Sequence, residues 1–303
     1  MSLNTPDTIR TLQRKLYAKA KQEPAYRFYA LYDKISWEDV LHHAWRLVRA
    51  NRGSSGIDGI SFEAIENGIG VETLLRELAR DLKDKTYQAQ PVRRAMIPKA
   101  DGSQRPLGIP TIRDRVAQMA VKLIIEPIFE ADFCAHSYGF RPKKSAHDAV
   151  DDIANTLWAG YTQVIDADLS KYFDSIPHDK LMAVVAERIV DGGVLHLIKQ
   201  WLDAPVEEDD GHGHRKRTTS NRDTGRGTPQ GAPISPLLSN LYMRRFILGW
   251  KTLGYARRWS AQIVNYADDF VICCKGRAED AMAAMRGMME QLKLTVNDDK
   301  THL

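Results

Sequence analysis

Apolar positions recur along this chain with two different periods, and the change of period marks its architecture. Over residues 8–21, Ile9, Leu12, Leu16 and Ala20 fall at helical spacing, while Arg10, Arg14, Lys15, Lys19 and Lys21 occupy the rest of the surface. This predicts a basic amphipathic helix, either solvated packing material or a surface that grips phosphates. Helices are also predicted over 37–48 and 71–83, the first of them broken by the Gly/Ser-rich loop 51–59. The period then shortens. Residues 92–97 and 105–110 alternate as extended pieces around a turn at 98–102 and predict a hairpin. Helical spacing returns over 114–129 and 146–158, and a strand is predicted at 163–169. Residues 181–202 read as helical with an interruption at Gly192-Gly193, and 207–226 as an exposed polar loop or hairpin. Ser235-Pro236 opens a further helix, with Ser as cap and Pro at the first helical position. Residues 263–274 predict a hairpin, and 278–292 a helix whose Met282, Met285, Met289 and Leu292 fill core on one face.

The extended pieces carry the chemistry. In a strand, side chains two apart share a face, so the strand over 164–169 places Asp166 and Asp168 together. Asp268 and Asp269 fall at the tight turn between two apolar strands. Like charges at the edge of a core are costly unless something cationic neutralises them. Nearby arginines would suffice for one pair. For two pairs on apolar strands the economical answer is a hard divalent ion such as Mg²⁺, held by carboxylates and substrate phosphates. Two such ions about 3.5–4 Å apart would clamp the attacking and leaving oxygens of a phosphoryl transfer.

The composition is that of a globular chain: 303 residues, 43% hydrophobic and 27% charged. It is long enough for one large or two moderate cores. No apolar run approaches a membrane span and no secretory signal is evident. Cys134, Cys273 and Cys274 form no framework, which predicts a reducing, cytoplasmic setting, bacterial by expectation. His212 and His214, in a Gly-rich stretch without a fixed third ligand, read as solvated. The net charge of +4 conceals an uneven distribution. Residues 1–150 carry a net +6 and residues 151–303 a net −2, a division expected if one half holds an anion and the other holds cations. Residues 91–115 alone carry a net +4, with Arg93, Arg94, Lys99, Arg105, Arg113 and Arg115 against Asp101 and Asp114. The loop Arg226-Gly-Thr-Pro-Gln-Gly-Ala-Pro leads into a helix N-terminus, a place that favours anions.

Taken together these segments resemble a reverse transcriptase, most closely the proteins encoded by group II introns. Four motifs stand in family order between about Trp37 and Thr301. Ile165-Asp-Ala-Asp-Leu-Ser-Lys-Tyr-Phe-Asp174 is similar to motif A and Gly227-Thr-Pro-Gln-Gly-Ala-Pro-Ile-Ser-Pro-Leu-Leu-Ser-Asn240 to motif B. Tyr266-Ala-Asp-Asp269 resembles motif C and Leu292-Lys-Leu-Thr-Val-Asn-Asp-Asp-Lys-Thr301 motif D. The stretches 97–110 and Ser137-Tyr-Gly-Phe-Arg-Pro142 resemble the fingers of intron-encoded enzymes.

The resemblance implies an α+β right-hand polymerase fold. A basic helical extension over 1–36 would precede fingers over 37–160 and a palm over 161–303, whose antiparallel sheet carries the motifs. Asp168, Asp268 and Asp269, with the Leu169 carbonyl, would bind two Mg²⁺ ions, for which Mn²⁺ can substitute. Asp166 would be supporting. Lys99 and Arg105 would hold the triphosphate, with Arg93 a third candidate, and Gln230 would line the nucleotide pocket. Lys300 would donate a proton to departing pyrophosphate. Phe173, five residues after Asp168, would exclude ribonucleotides, because an apolar pocket alone rejects an extra hydroxyl by only about 10². RNA-dependent RNA polymerases carry Asp at that place and usually Gly before the Asp pair, where this chain has Phe173 and Ala267.

The expected partners are an RNA template, a DNA primer, dNTP and the host intron RNA, which the family also helps to splice, with no membrane. Two rival readings are a non-catalytic RNA-binding scaffold and an RNA polymerase. The chain stops just after motif D, so a fingers and palm portion without the helical thumb is expected. Apolar surface left without a thumb would favour a homodimer.

Overall fold

The hairpin predicted from the shortened period gathers more strands than the local pattern reveals. In the computed structural model, which describes residues 4–98, 102, 104–209 and 215–303, seven strands form two sheets. They are β1 (Val92–Pro98), β2 (Gln104–Ile109), β3 (Gln163–Ala167), β4 (Val206–Asp209), β5 (Arg215–Thr218), β6 (Ala261–Tyr266) and β7 (Asp269–Cys274). One sheet runs β2-β1-β4-β5 and the other β3-β7-β6. The chain divides into two compact units, residues 1–132 with 182–235 and residues 133–181 with 236–303.

The first unit is built around the helix Ile112–Glu130. This helix is apolar on nearly all sides, with Val116, Ala120, Ile124, Ile125 and Ile128 all fully buried, which is the pattern of a core helix rather than a surface one. The helices Asp7–Gln22, Glu38–Ala50 and Val71–Lys83 pack on it through single apolar faces. The basic face of the first of these remains outward, with Arg14, Lys15 and Lys21 exposed. In its sheet, β1 pairs antiparallel with β2, as the hairpin pattern requires, and parallel with β4, which arrives more than a hundred residues later. The polar stretch 207–226 thus contains strand residues of a β4–β5 hairpin, followed by the short helix Ser220–Thr224. His212 and His214 lie outside the described residues.

The break expected at Gly192-Gly193 falls earlier. Helices span His178–Ala186 and Gly192–Asp203, so the two glycines open the second helix. The reason is Asp191, whose carboxylate caps the amides of Gly193 and Val194 at 3.0 and 3.3 Å. Gly193 also has to lack a side chain, because a Cβ there would enter the ring of Tyr32.

The second unit has an antiparallel three-stranded sheet with β7 in the centre. The registers Ile165↔Ile272 and Ile263↔Ile272 stack buried apolar residues on one face. Beneath them lie Phe246 and Trp250 of the helix Ser235–Thr252, together with Phe270 and Trp259, their rings 5.2–5.8 Å apart. The helix Ala278–Gln291 buries Met285, Met288 and Met289. Met282 and Leu292 are only half-buried, and Met288 takes a buried place beside the expected Met285 and Met289.

Candidate active site

The sheet of the second unit brings the motif A and motif C carboxylates to one end. β3 ends at Ala167, two residues short of the expected strand: its alternation buries Ile165 and Ala167 and leaves Asp166 exposed, and just past its end Asp168 is half-buried and Leu169 buried. On the neighbouring hairpin, Tyr266 pairs with Asp269, leaving Ala267 and Asp268 as a two-residue loop. Ala267 takes a left-handed conformation, φ +60°, which costs about 1–2 kcal/mol for a residue with a Cβ. The turn is held from below by the buried Asn265. Its side-chain amide donates to the Ala267 and Asp269 carbonyls at 2.8 and 3.2 Å, and its oxygen accepts from the Ser137 hydroxyl at 3.0 Å.

The electrostatics record the convergence. The Asp269 carboxyl is held above the usual carboxylate range, first by desolvation and then by the charges of Asp268, Asp168 and Asp166, with Lys300 acting the other way. Burial and the charge of Asp268 also raise the Tyr172 hydroxyl. Asp268 is half-buried at the turn. Lys300 brings its Nζ to 3.7 Å from Asp168 Oδ2. The site therefore attracts a cation, and its donors are hard oxygens of the type that Mg²⁺ takes. Among the described residues, no three His, Cys, Asp or Glu side chains stand together as a ready metal cluster.

A residue that sequence reasoning left without a role lies beside Asp168. The segment 295–302 wraps the end of β3 through bridges between Asp166 and His302 and between Leu169 and Val296. The amide of Asn297 donates to the Asp168 carbonyl at 2.9 Å, and that of Ser170 to the Thr295 carbonyl at 2.9 Å. Asn297 Nδ2 also donates to Asp168 Oδ2 at 2.9 Å, and the Asp168 amide reaches the Thr301 hydroxyl at 3.4 Å. Asp168 is thus fixed at backbone and carboxylate alike by one loop, with the Leu169 backbone in the middle of the clasp. An Asn three residues before the motif D lysine is the sequence signal that was available.

Phe173, half-buried on the short helix Tyr172–Ser175, belongs to this unit too. The remaining expected residues belong to the first unit. Arg105 is exposed on β2, opposite Ile97 in register, whereas Lys99 lies outside the described residues. Gln230 is half-buried in a loop sewn to β2, its carbonyl accepting from the Gly108 amide at 2.6 Å. Gly231 has to be bare there: its φ is +113°, and a Cβ would come within 2.8 Å of the Gly108 carbonyl oxygen. Arg93 is engaged in structure. Its Nε and Nη2 donate to the Ser55 carbonyl at 3.0 and 2.8 Å, beside Arg115, which donates to the Ser54 carbonyl at 2.6 Å. The two arginines hold the Gly/Ser loop 53–56.

Set beside known proteins, residues 97–303 match the family described as reverse transcriptase (RNA-dependent DNA polymerase). Protein YkfC of Escherichia coli (strain K12) is 36% identical over 332 residues, covering 97% of this chain and 84% of YkfC. The group II intron-encoded protein LtrA of Lactococcus lactis subsp. cremoris is 35% identical over 228 residues, or 74% of this chain and 36% of LtrA. The chain thus spans much of the first relative and about a third of the second. Among solved structures, a telomerase from Candida albicans, in complex with a fragment of telomeric RNA, aligns with a TM-score of 0.51. That alignment covers 72% of this chain and 43% of the telomerase chain at 14% identity, a likeness of fold alone.

Proposed function

We infer, since this chain belongs to the reverse transcriptase (RNA-dependent DNA polymerase) family, that it joins deoxynucleotides to a primer 3′-OH on an RNA template. The observation that carries this reading is the register that sets Asp168, one residue past β3, beside the β6–β7 turn with Asp268 and Asp269, the acidic set that a nucleotidyl transferase of this family needs at the end of its sheet. Two Mg²⁺ ions, or Mn²⁺ in their place, held by these three carboxylates and the Leu169 carbonyl, would lower the charge on the α-phosphate and activate the primer hydroxyl.

The protein's own residues do the rest. Asn297 keeps Asp168 from turning, so that one carboxylate oxygen stays committed to the loop while the other faces the reaction. Asn265 fixes the turn that presents Asp268 and Asp269. Lys300, 62% exposed and only loosely paired with Asp168, is able to swing to the departing pyrophosphate and donate its proton there. Lys99 and Arg105 supply positive charge to the triphosphate, and Gln230 lines the nucleotide pocket. Phe173 forms the wall that a 2′-hydroxyl would strike. Arg93 is the weakest member of this set, because its guanidinium already holds the Ser55 carbonyl.

The group II intron relatives extend the proposal to binding and splicing of a host intron RNA, in a cytosolic setting. A homodimer belongs to the same proposal, with light scattering as its test. No helix among the described residues is long and apolar enough to cross a membrane.

Primer extension tests the central reading: a DNA primer on an RNA template, dNTPs or NTPs, Mg²⁺, and an Asp268→Asn control. Incorporation of dNTP that the control abolishes is expected. Undiminished synthesis by Asp268→Asn would remove the metal site, and equal use of NTPs would remove the role of Phe173.

A further inference from the structure

Phe140 combines three properties seldom found together. It is a large apolar side chain left 48% exposed, its backbone is left-handed at φ +56°, and its ring meets that of Phe173. A bulky residue in the left-handed region is an outlier, and such strain persists only where the surroundings over-determine it. Here they do, entirely within the second unit.

Gly139 is pressed against the backbone of the Ala267 turn, where a Cβ would come within 2.8 Å of the Ala267 Cα and closer still to its nitrogen. Asn240 donates to the Gly139 carbonyl at 2.7 Å, and the Tyr138 amide to the Asn265 carbonyl at 2.8 Å. On the far side, Arg141 Nη1 donates to the Cys134 carbonyl at 2.7 Å and also to that of Ser137. The chain on both sides of Phe140 is thereby pinned to the catalytic turn and to its own loop, and the strained residue delivers its ring to one place.

That place is the edge of Phe173. The two ring centroids lie 6.4 Å apart with planes at 75°, an edge-to-face pair. From the other direction Phe173 meets Tyr172 at 5.8 Å and 73°. Tyr172 is buried, and its hydroxyl donates to the Ser239 carbonyl at 2.7 Å. Phe173 sits on a helix of only four residues, too short to fix a side chain by itself. It is braced instead between a buried, hydrogen-bonded tyrosine and the ring of Phe140.

We propose that Phe140 is a positioning residue for sugar selection, bracing the Phe173 ring so that a ribonucleotide 2′-hydroxyl meets a fixed wall rather than a side chain free to rotate away. The inference rests on the reading of Phe173 as that wall, and Phe173→Ala separates the two.

The test is primer extension by the whole chain on an RNA template with a DNA primer and Mg²⁺, comparing kcat/KM for dGTP and GTP. The ratio of their dissociation constants from a complex whose primer lacks the 3′-OH reads the ground-state part of that discrimination without turnover. Phe140→Ala removes the brace and keeps the strain. Phe140→Asn removes the brace and relieves the strain, because Asn tolerates the left-handed region. Both are expected to lose about three- to tenfold of the discrimination, the range that one ring pair allows. The change should lie in GTP, with dGTP kcat/KM moving less than about twofold on the same scale. Phe140→Tyr should retain the discrimination, Phe140→Asn should melt no lower than the parent, and Phe140→Ala should add nothing to Phe173→Ala. If Phe173→Ala relaxes the sugar preference and neither Phe140→Ala nor Phe140→Asn does, the brace is overturned and the wall stands. If Phe173→Ala leaves the preference unchanged, wall and brace fall together.

Discussion

Each unit holds a carboxylate above its ordinary range, and the two are treated in opposite ways. In the first, Asp114 is 1% exposed and surrounded by donors: the Tyr87 hydroxyl at 2.6 Å and the Gln90 amide at 3.0 Å, with Trp201 donating in turn to the Tyr87 oxygen at 2.9 Å. In the second, Asp269 is exposed at the start of β7 and stands among other carboxylates, with the loosely held Lys300 acting against them. Both are held above the usual carboxylate range, and burial is the leading cause in each. The direction of a pKa shift therefore does not separate a structural acid from a chemical one. The neighbours do: donors close a structural network, whereas like charges leave a deficit that a cation or a substrate has to fill.

Charge-removing substitutions break this comparison most sharply. Asp268→Asn keeps the shape of the motif C turn and takes away one negative charge. Primer extension should fall by at least about a hundredfold, since metal-assisted charge stabilisation is worth several kcal/mol, while the melting temperature stays level or rises. A loss of stability in step with activity would show Asp268 to be structural after all. Asn297→Ala probes the clasp on Asp168 and should lower kcat by about ten- to a hundredfold, the usual cost of losing a group that orients a metal ligand. The Mg²⁺ concentration needed for half-maximal rate should rise with it. An unchanged Mg²⁺ dependence would mean that Asp168 orients itself.

How much of this was legible depended on sequence distance. The period-two alternation placed Asp166 and Asp168 on one face, and two apolar runs around an acidic pair specified the β6–β7 turn, because both are local rules. The clasp on Asp168 was not legible, because Asn297 and Thr301 reach it only after some 130 residues of intervening chain have folded. Arg93 read as a phosphate candidate because its charge is local, whereas its acceptor, the Ser55 carbonyl, is brought up by a loop 38 residues earlier. The parallel pairing of β1 with β4 was hidden for the same reason. In the helix 278–291, Met288 rather than Met282 turned inward, because the four methionines share one broad face and tertiary packing chooses which of them lie deepest.

The smaller effects belong to the first unit. Asp114→Asn should cost about 1–3 kcal/mol, because its amide nitrogen would face either the Tyr87 hydroxyl or the Gln90 amide with no acceptor to offer. It should leave primer extension per folded molecule intact, the reverse of Asp268→Asn. The pH dependence of that loss sharpens the contrast further. The Asp114 carboxyl titrates higher in the folded chain than in the unfolded one. The folded state therefore takes up its proton first as pH falls, and the penalty for burying the charge is relieved through the folded pKa and fully removed below the unfolded value of about 3.9. Asn does not titrate, so the stability advantage of the parent over Asp114→Asn should widen as the solution is acidified across that window and then level off. Chemical denaturation of the two proteins at a series of pH values reads it directly. A difference that narrows on acidification would mean that the charged form of Asp114, rather than the hydrogen-bonded carboxyl itself, holds Tyr87 and Gln90 in place.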